Sequence, residues 1–342
     1  MSDKKNILLT GASGAVGREI LSMLASRHHE FNITVFDRKT KISEKIFSKY
    51  KKKVRIIYGN IVKEAELDDT VKNSDYVFHI AAVIPPLADE FPDLAYNVNV
   101  TGTKNLIESM KKNSPDAFLF YSSSISVYGD RIKNQWIKTT DDLIPSARDE
   151  YAKTKILAEE IIQNSGLNWT IFRLTAIMGY KNHKISKLMF HMPLNTPMEI
   201  STPQDTARAF VNAIDHTENL NKRIFNLGGG ERCRISFHDF LTRSFDIMGL
   251  GKFDFPEQAF ADKNFHCGYY ADSDELDNII KYRKDSIDDY FRNLKRYVNP
   301  VIKFLSFIFR NIIKKSILKK SEPMVAVKTN NKNEINHYKN YQ

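Results

Sequence analysis

Tyr151 and Lys155 stand four residues apart, with Ser124 upstream of them. On a helix this spacing puts the phenol and the ammonium on one face, a turn apart. Tyrosine is a weak acid or base at neutral pH, with an ordinary pKa near ~10. A neighbouring cation favours the phenolate and brings it into range for proton transfer at a hydroxyl or carbonyl. A serine hydroxyl beside it can donate to the same substrate oxygen. Tyr-x-x-x-Lys pairs are frequent by chance, so the weight of this one depends on its surroundings. Thr10-Gly11-Ala12-Ser13-Gly14-Ala15-Val16-Gly17 suits the binding of phosphate. Gly11 permits a sharp turn, Gly14 lets backbone approach a pyrophosphate, and Gly17 lets the following helix pack tightly on a sheet. That helix would present free N–H groups and its positive end to the anion. Asp37, twenty residues after Gly17, can accept from ribose hydroxyls and repel a 2′-phosphate, which favours NAD over NADP. Arg38 beside it is the group that could hold such a phosphate instead.

The elements that must position these residues are legible as alternating patterns. Apolar runs at 6–10, 33–37, 54–58, 76–82, 118–123 and 169–174 predict strands, and helical patterns lie between most of them, notably at 16–26, 94–112 and 149–164. This alternation predicts a doubly wound parallel sheet with right-handed crossovers. It puts Ser124 at the end of the fifth strand and the Tyr151 helix directly after it. Beyond residue 177 the pattern loosens into a helix over 204–217, a strand over 223–227, and helices over 237–248, 273–280 and 286–296. Gly228-Gly229-Gly230 is expected to be a flexible turn. The predicted organisation is a dinucleotide-binding domain over 1–177 and a small α/β substrate-binding lobe over 178–297, with 223–227 returning to the core. A C-terminal basic amphipathic helix over 298–320 and a disordered tail over 321–342 would follow.

The chain resembles the extended short-chain dehydrogenase/reductases, specifically the NAD-dependent epimerase/dehydratase group. The resemblance rests on the glycine turn, His79-Ile80-Ala81-Ala82, Asn97-Val98-Asn99-Val100-Thr101-Gly102-Thr103, Ser122-Ser123-Ser124-Ile125-Ser126-Val127-Tyr128-Gly129, Tyr151 to Lys155, and Arg173. It spans about residues 6–180, with a fainter match through Asp205 and Asn226. It implies a Rossmann-type fold, with Tyr151 as the acid/base, Lys155 as its tuner and ribose ligand, and Ser124 as the donor to the reacting oxygen. It also implies a cofactor site from Gly11, Ser13, Gly14, Ala15, Val16, Gly17, Asp37, Arg38, Asn60, Ile61, Ala81, Ala82, Asn99 and Ser122. Val83, Ser124, Ser126 and Asn226 would face the substrate. Asn99 has packing or helix capping as an equal alternative. A homodimer through the helices at 94–112 and 149–164 is implied as well.

Departures from the pattern narrow the activity. Asn60 stands where the family often has an aspartate at the adenine ring. Ile125 and Ser126 follow Ser124 where dehydratases carry an Asp-Glu pair and decarboxylases a glutamate, so elimination of water has no acid to serve it. Thr175 and Ala176 follow Arg173 where sugar-nucleotide enzymes commonly place an asparagine. No basic residue for a diphosphate stands just before Asp205.

At 342 residues, 42% apolar and 27% charged, the chain has the composition of an ordinary globular protein. Cys233 and Cys267 have no metal-ligand spacing and read as reduced, buried thiols. The net charge of +10 is concentrated late: from Lys295 onward eleven basic residues face two acidic ones, +9 of the total. A basic appendage on a near-neutral body argues against nucleic acid as a partner. Within 301–315, Val301, Leu305, Ile308 and Ile312 share one helical face flanked by Phe304 and Phe309, with Lys303, Arg310 and Lys314 opposite. The charges interrupt it too often for a membrane span, while an anionic membrane surface suits it. Docking on the body or on a second subunit is the alternative. The start, Met1-Ser2-Asp3-Lys4-Lys5, runs straight into a strand without a signal-type apolar segment, which predicts a cytoplasmic protein, peripheral on the inner membrane face if the helix binds there.

The expected function is an NAD-dependent sugar epimerase resembling sugar 4-epimerases, acting on a nucleotide- or lipid-diphosphate-linked sugar through a transient keto sugar. A ketone, 4-keto-sugar or hydroxysteroid-like reductase is the second enzyme class, suited to the apolar loop Val83-Ile84-Pro85-Pro86-Leu87. A non-catalytic dinucleotide-binding regulator is the remaining class, and it would have no need of Tyr151, Lys155 and Ser124.

Overall fold

A computed structural model describes residues 4–180 and 187–340. The first half alternates as the sequence predicts: β1 (Lys5–Thr10), α1 (Ala15–Ser26), β2 (Phe31–Asp37), α2 (Lys41–Phe47), β3 (Val54–Tyr58), α3 (Ala65–Val71), β4 (Tyr76–His79), α4 (Leu87–Glu90), α5 (Pro92–Tyr96), α6 (Gly102–Asn113), β5 (Phe118–Ser124), β6 (Trp136–Ile137), α7 (Glu150–Gln163) and β7 (Asn168–Leu174). A π-helical turn, Asn97–Thr101, joins α5 to α6. The second half comprises β8 (Ala176–Ile177), β9 (Pro197–Ser201), α8 (Pro203–Asn212), α9 (Thr217–Leu220), β10 (Arg223–Leu227), β11 (Arg234–Ser236), α10 (Phe237–Ile247), β12 (Tyr269–Tyr270), α11 (Ser273–Ile280), α12 (Ile287–Tyr297), α13 (Pro300–Ile308), α14 (Arg310–Leu318), α15 (Glu322–Lys328) and α16 (Lys332–Tyr338).

The main sheet is Rossmann-type, with seven strands in the order β10-β7-β5-β4-β1-β2-β3, all parallel. Side chains alternate between its two faces, as the strand period requires. Ile7, Leu9, Phe118 and Phe120 enter one core with α1 and α8. Leu8, Leu119 and Tyr121 enter the other with Leu106 and Met110 of α6 and Ala158 and Ile162 of α7. Both faces are covered, which is why the strands read as nearly continuous apolar runs.

A smaller lobe has its own core, built on Phe190, Met198, Phe237, Phe240, Phe255 and Tyr290. Its sheet is β11-β9-β8, with β11 antiparallel and β8 parallel to β9. The expected stretch 178–297 is not all lobe. Besides β10, the helices α8 and α11 belong to the main core, through Phe210, Leu276 and Ile280. The supposed flexible turn at Gly228–Gly230 is packed instead. A Cβ on Gly228 would run into the Glu199 carboxylate, and one on Gly229 into the Ile200 carbonyl.

The C-terminal expectations also need correction. The single helix over 298–320 is two, broken at Phe309, which caps α13 and starts α14. Lys314 does not join a solvent-facing basic side: it is buried, its Nζ donating to Asp254 Oδ1 at 2.8 Å and to the Lys252 carbonyl. The segment expected to be disordered forms α15 and α16 through residue 338, burying Pro323, Ala326 and Tyr338 and packing Met324 on the lobe core. Residues 1–3, 181–186 and 341–342, which fall within the expected N-terminal lead, the 178–202 segment and the tail, lie outside the described residues.

Candidate active site

The carboxyl ends of β1 and β4 are neighbours, and the connections leaving them run to opposite sides of the sheet. Such a switch point opens a crevice in a doubly wound fold. Here a cleft of about 450 Å³ opens there. At its floor Gly11 has φ +73°, and a Cβ on it would lie 2.5 Å from Ala81 N. A Cβ on Gly17 would meet the Gly11 carbonyl and Ala12 Cα. No side chain caps α1 at Gly14, so the N–H groups of its first turn are free to serve an anion. Asp37 ends β2 and ties it to this turn: Oδ2 accepts from Ser13 N at 2.8 Å and Oδ1 from Arg38 N at 2.7 Å. Each oxygen has a further lone pair for a ribose hydroxyl. These close backbone approaches, the uncapped helix and the carboxylate fit a dinucleotide.

The opposite end of the cleft holds the groups capable of proton transfer. α7 begins at the N-cap Asp149, whose Oδ1 accepts from Ala152 N at 2.8 Å, and this fixes the turn that carries Tyr151. Lys155, one turn on, is buried, and its Nζ donates to the Ser122 carbonyl at 2.7 Å and to Tyr121 Oη at 3.2 Å. It stands 5.7 Å from the Tyr151 ring centre. Loss of solvent pushes the Tyr151 phenol above its ordinary range, the neighbouring Ser124 hydroxyl pulls the other way, and the Asp149 charge adds to the rise. The lowering expected from Lys155 does not figure among the influences on this phenol, and desolvation decides its direction. Burial likewise brings Lys155 down to about 7, against the opposing charge of Glu159. His79, buried beneath the site, is held neutral by its burial and by the Lys155 charge, at about 3. Its ring nitrogens reach Thr10 Oγ1 and Thr103 Oγ1, each at 2.9 Å.

The cleft brings together Gly11, Ser13, Gly14, Ala15, Val16, Gly17, Asp37, Arg38, Asn60, Ile61, Ala81, Ala82, Val83, Ser122, Ser124, Tyr151 and Lys155. Three expected residues lie behind its wall. Asn99 accepts from Val83 N at 2.8 Å and donates to Val83 O and to Thr154 Oγ1, so its amide is consumed in pinning the loop to α7. Ser126 donates to Ser124 Oγ at 3.0 Å and orients it from behind. Asn226, 1% exposed, accepts from Tyr128 Oη and donates to Asp272, both at 2.8 Å. Tyr128 in turn accepts from Arg173, which pairs with Glu159 at 2.7 Å. Arg173 and Asn226 thus brace the ends of β7 and β10. Sequence reasoning passed over Tyr121 and the lining residues Ile80, Val98, Ser123, Leu174 and Ile177. Most follow from the carboxyl-end rule once β4, β5 and β7 are placed. Among the described lining residues Asp37 is the one acid; Asp89, which accepts from the Tyr151 and Glu150 backbone N–H groups, and the N-cap Asp149 stand next to Tyr151 outside that lining.

The NAD dependent epimerase/dehydratase family model matches residues 7–228. The chain belongs to this family. This NAD-binding enzyme is thereby of the extended short-chain dehydrogenase/reductase type, and the match runs past the glycine turn and α7 to the end of β10. A 3-beta-hydroxysteroid dehydrogenase of Mycolicibacterium neoaurum is 28% identical over 238 residues, 63% of this chain and 62% of the relative. The N-acetyl-alpha-D-glucosaminyl-diphospho-ditrans,octacis-undecaprenol 4-epimerase of Escherichia coli O157:H7 is 31% identical over 184 residues, 52% of this chain and 50% of the relative. The chain spans less than two thirds of the length of these curated relatives. Among solved structures, UDP-glucuronic acid 4-epimerase from Bacillus cereus, in complex with UDP-glucuronic acid and NAD, superposes with a TM-score of 0.71 at 20% identity. That match covers 88% of this chain and 99% of the other.

Proposed function

We propose that this family member is an NAD-dependent epimerase that inverts a secondary hydroxyl of a sugar by transient oxidation to the ketone. The observation that carries the proposal is the convergence of Ser124, Tyr151 and Lys155 on the dinucleotide cleft, with Lys155 Nζ 5.7 Å from the Tyr151 ring centre. Gly11–Gly17, Asp37 and Ala81–Ala82 line the cleft that would hold NAD, which would supply the hydride acceptor and donor. Ser124 donates to the substrate oxygen and holds it against Tyr151. The Tyr151 phenolate takes the hydroxyl proton, and the phenol returns it when the carbonyl is reduced. Lys155, when protonated, favours the phenolate by its charge and would donate to the ribose hydroxyls of bound NAD. Ile125 and Ser126 follow Ser124 in place of an acidic pair, and Asp37 is the one acid among the described cleft-lining residues, which supports hydroxyl inversion over dehydration. The stretch Ser122–Gly129 is similar to that of sugar 4-epimerases, and the relative named for a lipid-diphosphate sugar supports the same class. Leu94, Tyr96 and Leu157 remain exposed on α5 and α7, in keeping with a homodimer there.

The apolar cleft wall of Val83, Ile84 and Ile177 favours a second assignment, oxidation of a hydroxyl on an apolar ring system, the class named for the mycobacterial-type relative. Coenzyme turnover separates the two. With the correct sugar, an epimerase yields a second sugar and no net NADH, whereas a dehydrogenase yields NADH in proportion to ketone. In either case Tyr151→Phe removes the proton acceptor, and kcat is expected to fall by about 10²–10⁴-fold with NAD affinity retained. Turnover persisting in Tyr151→Phe would overturn both assignments.

A further inference from the structure

The segment 300–320 carries six cations and no acid, and its outer surface has no partner among the described residues. On α13, Val301, Ile302, Phe304, Leu305, Phe307 and Ile308 are each about half exposed or more, Val301 and Phe304 to 65% and 63%. At 3.6 residues per turn these side chains cover an arc of roughly 220°. Lys303 and Ser306 occupy the remainder. A seam between two helices needs a stripe of only about 100°, so a second copy would leave much of this arc in water. α14 is held to the lobe by Ile317 and by the buried Lys314. It turns Lys315, Lys319 and Lys320 outward, while Lys295, Arg296 and Tyr297 are exposed just before α13. A wide apolar arc bordered by cations on both sides complements an anionic lipid surface, with apolar groups below the headgroups and ammonium groups among them. The acids that face these helices are Asp246, in a groove with Lys303 and Phe304, and Asp254, neutralised by its ion pair with Lys314.

We propose that α13 and α14 dock the protein on an anionic bilayer, with α13 lying in the interface. No helix among the described residues is long and apolar enough to span a membrane, so α13 would lie in the surface without crossing it. The docking element is rooted close to the cleft. Tyr297 packs edge-on against Tyr180 at 5.7 Å between ring centres, and Tyr180 is three residues beyond the cleft-lining Ile177.

The test is sedimentation of the full-length protein with phosphatidylcholine vesicles, with and without phosphatidylglycerol. The wild type is expected to pellet with the anionic vesicles and to be released from them by salt. Lys315→Gln, Lys319→Gln and Lys320→Gln together should lower partitioning on the order of 100-fold. Ile302→Ser, Phe304→Ser and Phe307→Ser together should abolish it while the melting temperature stays at the wild-type value. Wild-type protein remaining in the supernatant, or equal pelleting by the serine variant, would overturn the proposal. So would a dimer that the serine substitutions split without any vesicle binding, since a second copy would then be the occupant.

Discussion

Lys155 is 1% exposed, and its surroundings disfavour its charge. Burial lowers it from the usual 10.5 to about 7, with Glu159 opposing. The unfolded chain therefore binds a proton that the folded one lacks between about pH 7 and pH 10.5. Its contribution to stability rises with pH across that window and is lost as pH falls through about 7. Relative to Lys155→Met, the wild type should gain a few degrees in Tm between about pH 7 and pH 9. Parallel melting curves for the two proteins would refute this. Tyr151, Lys155 and Ser124 were legible because i,i+4 spacing and a strand end are local properties. Tyr121 was not, since its contact with Lys155 depends on how α7 lies across β5. Asn99 and Asn226 looked like site residues because an amide in a family motif reads the same whether it faces a ligand or a backbone.

At the scale of elements, the contact between the glycine turn and α1 is the least forgiving. Gly17→Ala places a methyl against the Gly11 carbonyl and Ala12, and α1 must lift from β1 to admit it. The expected cost is about 1–3 kcal/mol in denaturant unfolding, with weakened NAD binding by calorimetry. An unchanged midpoint and affinity would show that the turn can yield. The parallel strands were legible as apolar runs, and β10 and α11 fall on their predicted bounds. The seven-residue helices α15 and α16 were not, because so short a helix carries little propensity of its own and forms by docking. The break at Phe309 was hidden for a related reason: a helical periodicity that continues through it does not show where its solvent-facing and lobe-facing parts separate.

For the whole molecule, the C-terminal segment acts as a clasp. Glu322 reaches Lys187 at 3.2 Å and His191 at 2.5 Å, Glu334 takes both of its bonds from Arg148, and Tyr338 is buried. Deleting 322–342 uncovers lobe core and should cost about 2–4 kcal/mol. A lobe transition at unchanged denaturant concentration would refute that. Charge counting located this region as an appendage, but composition alone could not show that part of it is structural.

The chain enters the lobe at β8, returns to the main sheet for α8 and β10, leaves again for β11 and α10, and comes back once more at α11. The two units are thus interleaved, with no single boundary at residue 177. A gene fusion or recombination event with one crossover would cut through both hydrophobic cores. In this architecture a new specificity is reached by substitution within the segments lining the cleft, while the cofactor half is inherited with its lobe.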